Sequence, residues 1–512
     1  MIKELPSQFI ILNAKLYDGL GNAPFMADVC VNQGRIEAIA KAGTMHPSGV
    51  YTIDANGLAL APGFVDAHSH SDIRIMDNPN ADAKISHGVT TEVIGNCGSS
   101  ATLTKHACWG DIESYAHELN LRQPAVNIVA LAGHNTIRSM VMGYENREPT
   151  RDEMNKMKEI LDKALKQGAA GLSSGLWYLP GKYSKTEEVV ELASVLKGTN
   201  KPYATHMRSE GDGLLESIDE AMKIAAAGAN RLEISHFKTS NKRNWNKLDA
   251  AFEKIEEGKR NGMTIFADRY PYIFSCTSLR MVVPSPYDLI ANIREFLQTP
   301  EHQKEIIQAF EKLGDKGPNW ERVIVTDSGV ASHKPYIGNN MKENAEMMGL
   351  TPPEATIKLL SEGTPQGAFG KMSEENMHRI LAKDWVVAGS DASANAYDYT
   401  VGRAHPRAFG TFPRFFQFAR ESAPDEQVIR RMTSLTASMF NIPERGVIKP
   451  GYRADLVLFD PDNFQCVFDF KAPHTPCTGV RLVFVNGQLA FDADDPTSRG
   501  RHGSFIPIPQ KG

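Results

Sequence analysis

Five short apolar runs in this chain each end in a polar residue able to bind a metal or carry a proton, and that recurrence restricts the fold more than any other feature. Phe64-Val65-Asp66-Ala67 runs into His68 and His70, Thr91 to Gly95 into Cys97, and Pro202 to Thr205 into His206. Arg231 to Ser235 runs into His236, and Asp384 to Ser390 into Asp391. In an extended segment residues i and i+2 point the same way, so His68 and His70 converge on one face at a strand end. Strand ends that recur with helical patterns between them, as at 151–167 and 213–227, are the signature of a parallel (β/α)8 TIM-like barrel. Such barrels gather their chemistry at the C-terminal ends of the strands, so the ligands are expected to meet in space.

Taken singly, each residue has a plainer explanation. Cys97 alone reads as a small buried hydrophobe, His206 and His236 as core histidines bonded to carbonyls, and Asp391 as a helix cap or turn residue beside Ser390. Their shared position after an apolar run favours ligands and a catalytic carboxylate. Imidazoles with one thiolate suit zinc, which is borderline-soft and accepts mixed nitrogen and sulfur donors.

Both ends of the chain have a different texture. Residues 8–60 read as short strands with turns, and Ala454 to Asp460 and Val480 to Gly487 resume that pattern. The expected organisation is therefore 1–61 together with 443–512 as a small β-sandwich domain and 62–442 as the barrel. Pro284, Pro286 and a charged stretch near 288–314 break the alternation, and 282–340 is expected to be a small insertion subdomain. At 512 residues and 41% hydrophobic content the chain can bury a large core. A formal charge of −5 without a basic block gives no reason to expect nucleic acid or a membrane surface as partner. Lys3, Glu4 and Pro6 interrupt any leader, no apolar run approaches the ~20 residues of a membrane span, and a cytoplasmic location is expected. The six cysteines lack paired spacing, so no disulfide framework is expected.

The blocks PGFVDAHSHSD (62–72), GVTTEVIGNCG (88–98), GLSSGLWYLPG (171–181), YATHMRSEGD (203–212), EISHFK (233–238), YPY (270–272), GSD (389–391) and HPRAFGTFPR (405–414) resemble, as an ordered set, the N-acyl-D-amino-acid deacylases (D-aminoacylases) of the metal-dependent amidohydrolase superfamily. The resemblance implies that Cys97, His206 and His236 hold one tight zinc ion and that His68 and His70 form a second, weaker position. It also implies that Cys97 stands where many superfamily members have a carboxylated lysine. Asp391 is then the general base and acid, taking a proton from water and returning it to the leaving amine. Arg407 and Lys238 match residues that bind the substrate carboxylate, and Tyr178, Tyr270 and Ser275 lie in segments resembling substrate-contacting ones. The implied substrate is a small N-acyl-D-amino acid; D over L comes from the resemblance and from no derived geometry. A homo-oligomer is compatible with this reading.

Two departures leave the substrate detail open. The 392–404 segment is longer than the family's usual one and contains Arg403, a second candidate for the carboxylate anchor. EISHFK carries Phe237 where a second histidine is common, and the extra aromatics predict a hydrophobic side-chain pocket. A cyclic-amide hydrolase of the dihydroorotase or hydantoinase kind and a non-catalytic assembly protein compete with the deacylase reading. Cys97 in place of the lysine disfavours the first, and the intact set of ligands disfavours the second.

Overall fold

The computed structural model describes residues 4–46, 48–104, 109–496 and 499–510. The chain opens with β1 (Gln8–Leu16), β2 (Phe25–Asn32), β3 (Arg35–Lys41), β4 (Tyr51–Asp54) and β5 (Ala59–Pro62). Along β1, Phe9 and Ile11 and then Ala14 and Leu16 join the apolar face of this sheet, the phase shifting at a bulge between Ile11 and Ala14.

The chain then enters parallel strands: β6 (Phe64–Asp66), β7 (Val89–Ile94), β8 (Asn127–Ala130), β9 (Ala132–Gly133), β10 (Leu172–Gly175), β11 (Tyr203–His206), β12 (Arg231–Ile234) and β13 (Thr264–Arg269). After β13 come β14 (Ser275–Ser278), β15 (Val323–Asp327) and β16 (Gln366–Phe369), then β17 (Val386–Ala388), and finally β18 (Leu456–Phe459), β19 (Val480–Val485) and β20 (Gln488–Asp492).

Three groupings follow. The two chain ends join in one eight-stranded sheet of order β20-β19-β18-β5-β1-β2-β3, with β4 on β1. Its seam is the antiparallel pair β5–β18, Leu456 opposite Pro62. The parallel strands form β6-β7-β8 and β9-β10-β11-β12-β13-β17. Backbone bonds link these two sheets on both sides. Leu131, between β8 and β9, donates to Ile94 O (2.9 Å), while Ala67 donates to Ala388 O (3.2 Å) and Ser69 bridges Ala392 in parallel.

Helices follow the parallel strands and cover them. The helix Arg151–Lys166 shows why: Thr150 and Glu153 form a reciprocal capping box, and Met154, Met157, Leu161 and Ala164 recur at helical spacing on its buried face. Each such side chain contributes about 1.5–3 kcal/mol by leaving water, Ala164 less. Inside the strands, Val65, Val93, Val129, Leu131, Ala204 and Val387 form a cluster that Phe440, Ile506 and Ile508 also join. No helix among the described residues is long and apolar enough to cross a membrane. Cys108 lies outside the described residues, and the other five cysteines are unbridged.

The segment after β13 is larger than its proline-rich stretch suggested. A separate apolar cluster runs from Leu279 to Phe369, and β16 is the central strand of the antiparallel order β14-β16-β15. The 282–340 boundaries therefore omit the element that holds this module together. The run Gln366-Gly367-Ala368-Phe369 has no strand-like alternation, and its strand character comes from pairing on both sides.

Candidate active site

The polar residues that end the parallel strands meet. Cys97 Sγ lies 3.4 Å from His68 Nε2, 3.7 Å from His206 Nδ1 and 3.7 Å from His236 Nε2. Donors bound tetrahedrally at ordinary Zn–N and Zn–S lengths are separated by roughly 3.3–3.6 Å, so this sulfur and these nitrogens fit a zinc-sized ion. A second grouping, His68, His70 and Asp391, also has its donor atoms within 4.8 Å of one another. The five metal candidates of the sequence thus form one connected cluster, with Asp391 against its His68 and His70 side.

Backbone conformation helps to aim them. Cys97, His236 and Asp391 take φ of 53°, 39° and 50°, in the left-handed region that non-glycine residues seldom occupy. Such positions cost of order 1–3 kcal/mol each, and here all three come where a strand breaks off to turn a side chain toward the same point. Next to Cys97, Gly98 is required, because a Cβ there would sit 2.6 Å from Gly175 N and 2.2 Å from Asn135 Oδ1.

Acidic partners orient the imidazoles. Asp268 Oδ2 takes His68 Nδ1 at 2.8 Å and in turn receives support from Glu233, whose Oε1 accepts the Asp268 N–H at 3.1 Å. Glu210 Oε1 lies 2.8 Å from His236 Nδ1 and accepts the Lys238 ammonium. Each carboxylate engages one ring nitrogen and leaves the other facing Cys97, the usual way a protein sets a ligand's tautomer. Burial favours the thiol form of Cys97, but the His68 charge and bonds from His206 and His236 outweigh it and hold the group well below its usual pKa.

Asp391 joins the donor cluster to its surroundings. Its Oδ1 is 3.1 Å from His70 Nε2 and 3.7 Å from His68 Nε2, and its Oδ2 is 2.8 Å from Arg407 Nη1. Burial favours the neutral acid, yet the Arg407 guanidinium and the His70 bond outweigh it and keep Asp391 well below the usual carboxylate range.

A cavity of about 270 Å³ opens beside this group, lined among others by Tyr178, Lys238, Tyr270, Ser275 and Asp391. The Tyr178 ring meets His206 edge-on at 4.7 Å, and the Tyr270 hydroxyl is buried without a protein partner among the described residues. Ser275 arrives on β14, from the antiparallel module. The two arginines are separated: Arg407 is 5% exposed and also donates to Cys276 O, whereas Arg403 donates to the carbonyls of Phe470 (2.9 Å) and Lys471 (2.6 Å).

Several residues of this site escaped the sequence reading. Asp66, Glu92, Glu233 and Asp268 are fully buried acids within apolar strands, a pattern visible in the sequence as charge inside an otherwise β-forming run. Glu210 stands four residues after His206 in a block already singled out. Lys84 is fully buried against Asp66 of β6, Glu92 of β7 and Ser390 after β17, and no local pattern marks it.

The geometry agrees with the comparisons to known proteins. The sequence profile of the amidohydrolase family matches residues 51–491. An N-acyl-D-aspartate deacylase of Alcaligenes xylosoxydans xylosoxydans is 31% identical over 96% of this chain and 94% of its own length. A D-aminoacylase of the same organism is 30% identical over 98% and 97%. Among solved structures, the N-acyl-D-glutamate deacylase of Bordetella bronchiseptica, complexed with zinc and a phosphonate mimic of the tetrahedral intermediate, superposes with a TM-score of 0.82 at 29% identity, covering 99% of this chain and all of the other. Near-complete coverage in sequence and in structure, on a chain whose strand ends gather one cysteine and four histidines, places the protein in the amidohydrolase family, on its D-aminoacylase branch.

Proposed function

We propose that this chain hydrolyses the amide bond of N-acyl-D-amino acids, releasing a carboxylate and a free D-amino acid. The observation that carries this reading is Cys97 set among His68, His206 and His236 at separations suited to zinc, with Asp391 beside them. In this reading Cys97, His206 and His236 hold the tight zinc, and His68 and His70 form a weaker position. Zinc so held supplies Lewis acidity, which makes hydroxide available near neutral pH and polarises a carbonyl.

The chain's own groups do the rest. Asp391, ionised in its resting state, takes the proton of the attacking water and passes it to the amide nitrogen, which leaves only once protonated. Arg407 and Lys238 bind the α-carboxylate, Arg407 through the planar fork that matches a carboxylate. Tyr178, Tyr270 and Ser275 line the place where the amino acid sits. Bonds across both seams support closure of β6 to β13 and β17 into a (β/α)8 barrel, with β8 and β9 as one interrupted strand. On that basis 62–442 is the catalytic domain, and 1–61 with 443–512 is a small β domain. The antiparallel module 275–370 is inserted late in the barrel.

The test is direct. Purified protein is expected to retain about one equivalent of zinc and to cleave N-acetyl-D-amino acids, but neither the L-forms nor dihydroorotate. His236→Ala is expected to lose metal and activity together. Full activity after complete removal of metal, or equal rates on both enantiomers, would overturn the reading.

A further inference from the structure

A second cavity, of about 420 Å³, shares Asp391 and Cys276 with the first but has a different lining. The first cavity includes Trp177, Met281 and Phe369, whereas three arginines, Arg74, Arg403 and Arg407, stand around the second with Ser328, Ser393 and Asn395. Its apolar contribution is limited to Ala392, Val401 and Ala404.

The carboxylates in this cavity are already engaged. Asp391 is held by Arg407 and His70. Asp327 Oδ1 accepts the backbone N–H groups of Ser328 (2.7 Å) and Gly329 (3.4 Å), and its Oδ2 accepts that of Arg403 (2.9 Å). The guanidinium charges of Arg74 and Arg403 are less well matched. Arg74 meets Asp77 at 3.8 Å, both side chains well exposed, a pairing worth little. Among the described residues Arg403 makes no ion pair and its buried Nε has no partner; carbonyls hold its Nη2, and its guanidinium carbon lies 5.3 Å from the centroid of the Tyr399 ring.

The 392–404 segment carries Arg403 to Asp327 and past Arg74. Gly402, at φ +90°, passes so close that a Cβ would stand 3.0 Å from Asp327 Oδ2 and 3.9 Å from Arg74 Nη2. A concave site with unmatched guanidinium charge concentrates positive potential, and the planar fork of Arg74 with the charge of Arg403 beside it favours a carboxylate. A substrate whose scissile amide lies at Asp391 has one arm available to each cavity.

We infer that this second cavity is a subsite for a carboxylate that the substrate carries in addition to its α-carboxylate, bound by Arg74 and Arg403. The inference rests on the deacylase reading; of the acidic and hydrophobic side chains that the sequence left open, an acidic one would fill this cavity, whereas a dicarboxylic acyl group would leave the side-chain pocket as the aromatics predict it. The extra carboxylate comes either from an acidic D-amino-acid side chain or from a dicarboxylic acyl group.

The zinc-loaded enzyme is to be assayed for kcat and KM on N-acetyl-D-leucine, N-acetyl-D-glutamate and N-succinyl-D-leucine, alongside Arg74→Met and Arg74→Lys. The wild type is expected to favour one of the dicarboxylates by about tenfold or more in kcat/KM. Preference for N-acetyl-D-glutamate assigns the cavity to the side chain, and preference for N-succinyl-D-leucine assigns it to the acyl group. Arg74→Met is expected to erase most of that preference through KM, Arg74→Lys to restore part of it, and added salt to raise KM for the dicarboxylate alone. N-acetyl-D-leucine is expected to change less than about twofold, since Arg74 touches none of the reacting groups. A wild type that prefers N-acetyl-D-leucine, or an Arg74→Met variant that slows all three substrates equally, would overturn the inference and leave the deacylase reading intact. Cleavage of none of the three would remove both.

Discussion

Replacing Lys84 with methionine is expected to destabilise the protein and disorder its active site at once. The ammonium is fully buried and lies 2.7 Å from Asp66 Oδ2, 3.3 Å from Glu92 Oε2, 2.8 Å from Ser390 Oγ and 3.0 Å from Ala392 O. Both carboxylates are themselves fully buried. Methionine preserves the aliphatic volume but leaves two buried negative charges without their cation, a loss on the order of 3–5 kcal/mol. At about 2.1 cal/mol/K per residue, unfolding 512 residues carries an entropy near 1 kcal/mol/K, so Tm should fall by roughly 3–5 °C. Ser69, Ser390 and Ala392, the residues flanking His68, His70 and Asp391, also bond Lys84, so kcat is expected to drop by about 10²-fold from misplacement alone. Thermal unfolding and steady-state kinetics on one preparation measure both effects. The double variant Lys84→Met/Glu92→Gln removes one of the stranded charges and should recover part of the Tm. A Tm within 1 °C of wild type in Lys84→Met would refute the electrostatic argument. So would a double variant no more stable than the single one.

Three further outcomes are expected. Asp391→Asn keeps the shape but cannot carry the proton, so kcat should fall by ~10²–10⁴ with zinc content near wild type; loss of zinc instead would mark Asp391 as mainly a ligand. Arg407→Met should cost roughly 2–5 kcal/mol in kcat/KM, with a smaller loss when the substrate carboxylate is masked as an amide, and a larger effect from Arg403→Met would show that the 392–404 segment carries the anchor. His87 is buried with neither ring nitrogen bonded among the described residues, and burial, with the Lys84 charge after it, pulls its pKa from 6.5 down to about 3. Between those values the unfolded chain binds a proton that the native chain refuses, so native stability falls as pH drops, by roughly 4–5 kcal/mol over the whole window; His87→Leu should flatten the decline of Tm below pH 6.5.

The sequence by itself determined the strand-end residues and their chemistry. A period of two points His68 and His70 the same way, and an apolar run that stops at Cys97, His206, His236 or Asp391 places each at the end of a strand, with no tertiary information needed. Similar local patterns announced β-rich ends on the chain. What the sequence could not contain were relations set by packing between distant residues. Cys97 and His206 are 109 positions apart, and His68 and Asp268 are 200 apart, so which carboxylate orients which imidazole is decided only when the strands stand side by side. The same holds for β16, a strand because β14 and β15 flank it, and for Lys84, whose charge is tolerable only beside Asp66 and Glu92. Arg403 and Arg407, four residues apart and chemically alike, were sorted only by the turn into the helix Arg407–Ala419: it directs Arg407 to Asp391, while the carbonyls of Phe470 and Lys471 hold Arg403 away. Local periodicity fixes where a side chain leaves the backbone, but the partner it meets depends on long-range contacts that no short stretch of sequence encodes.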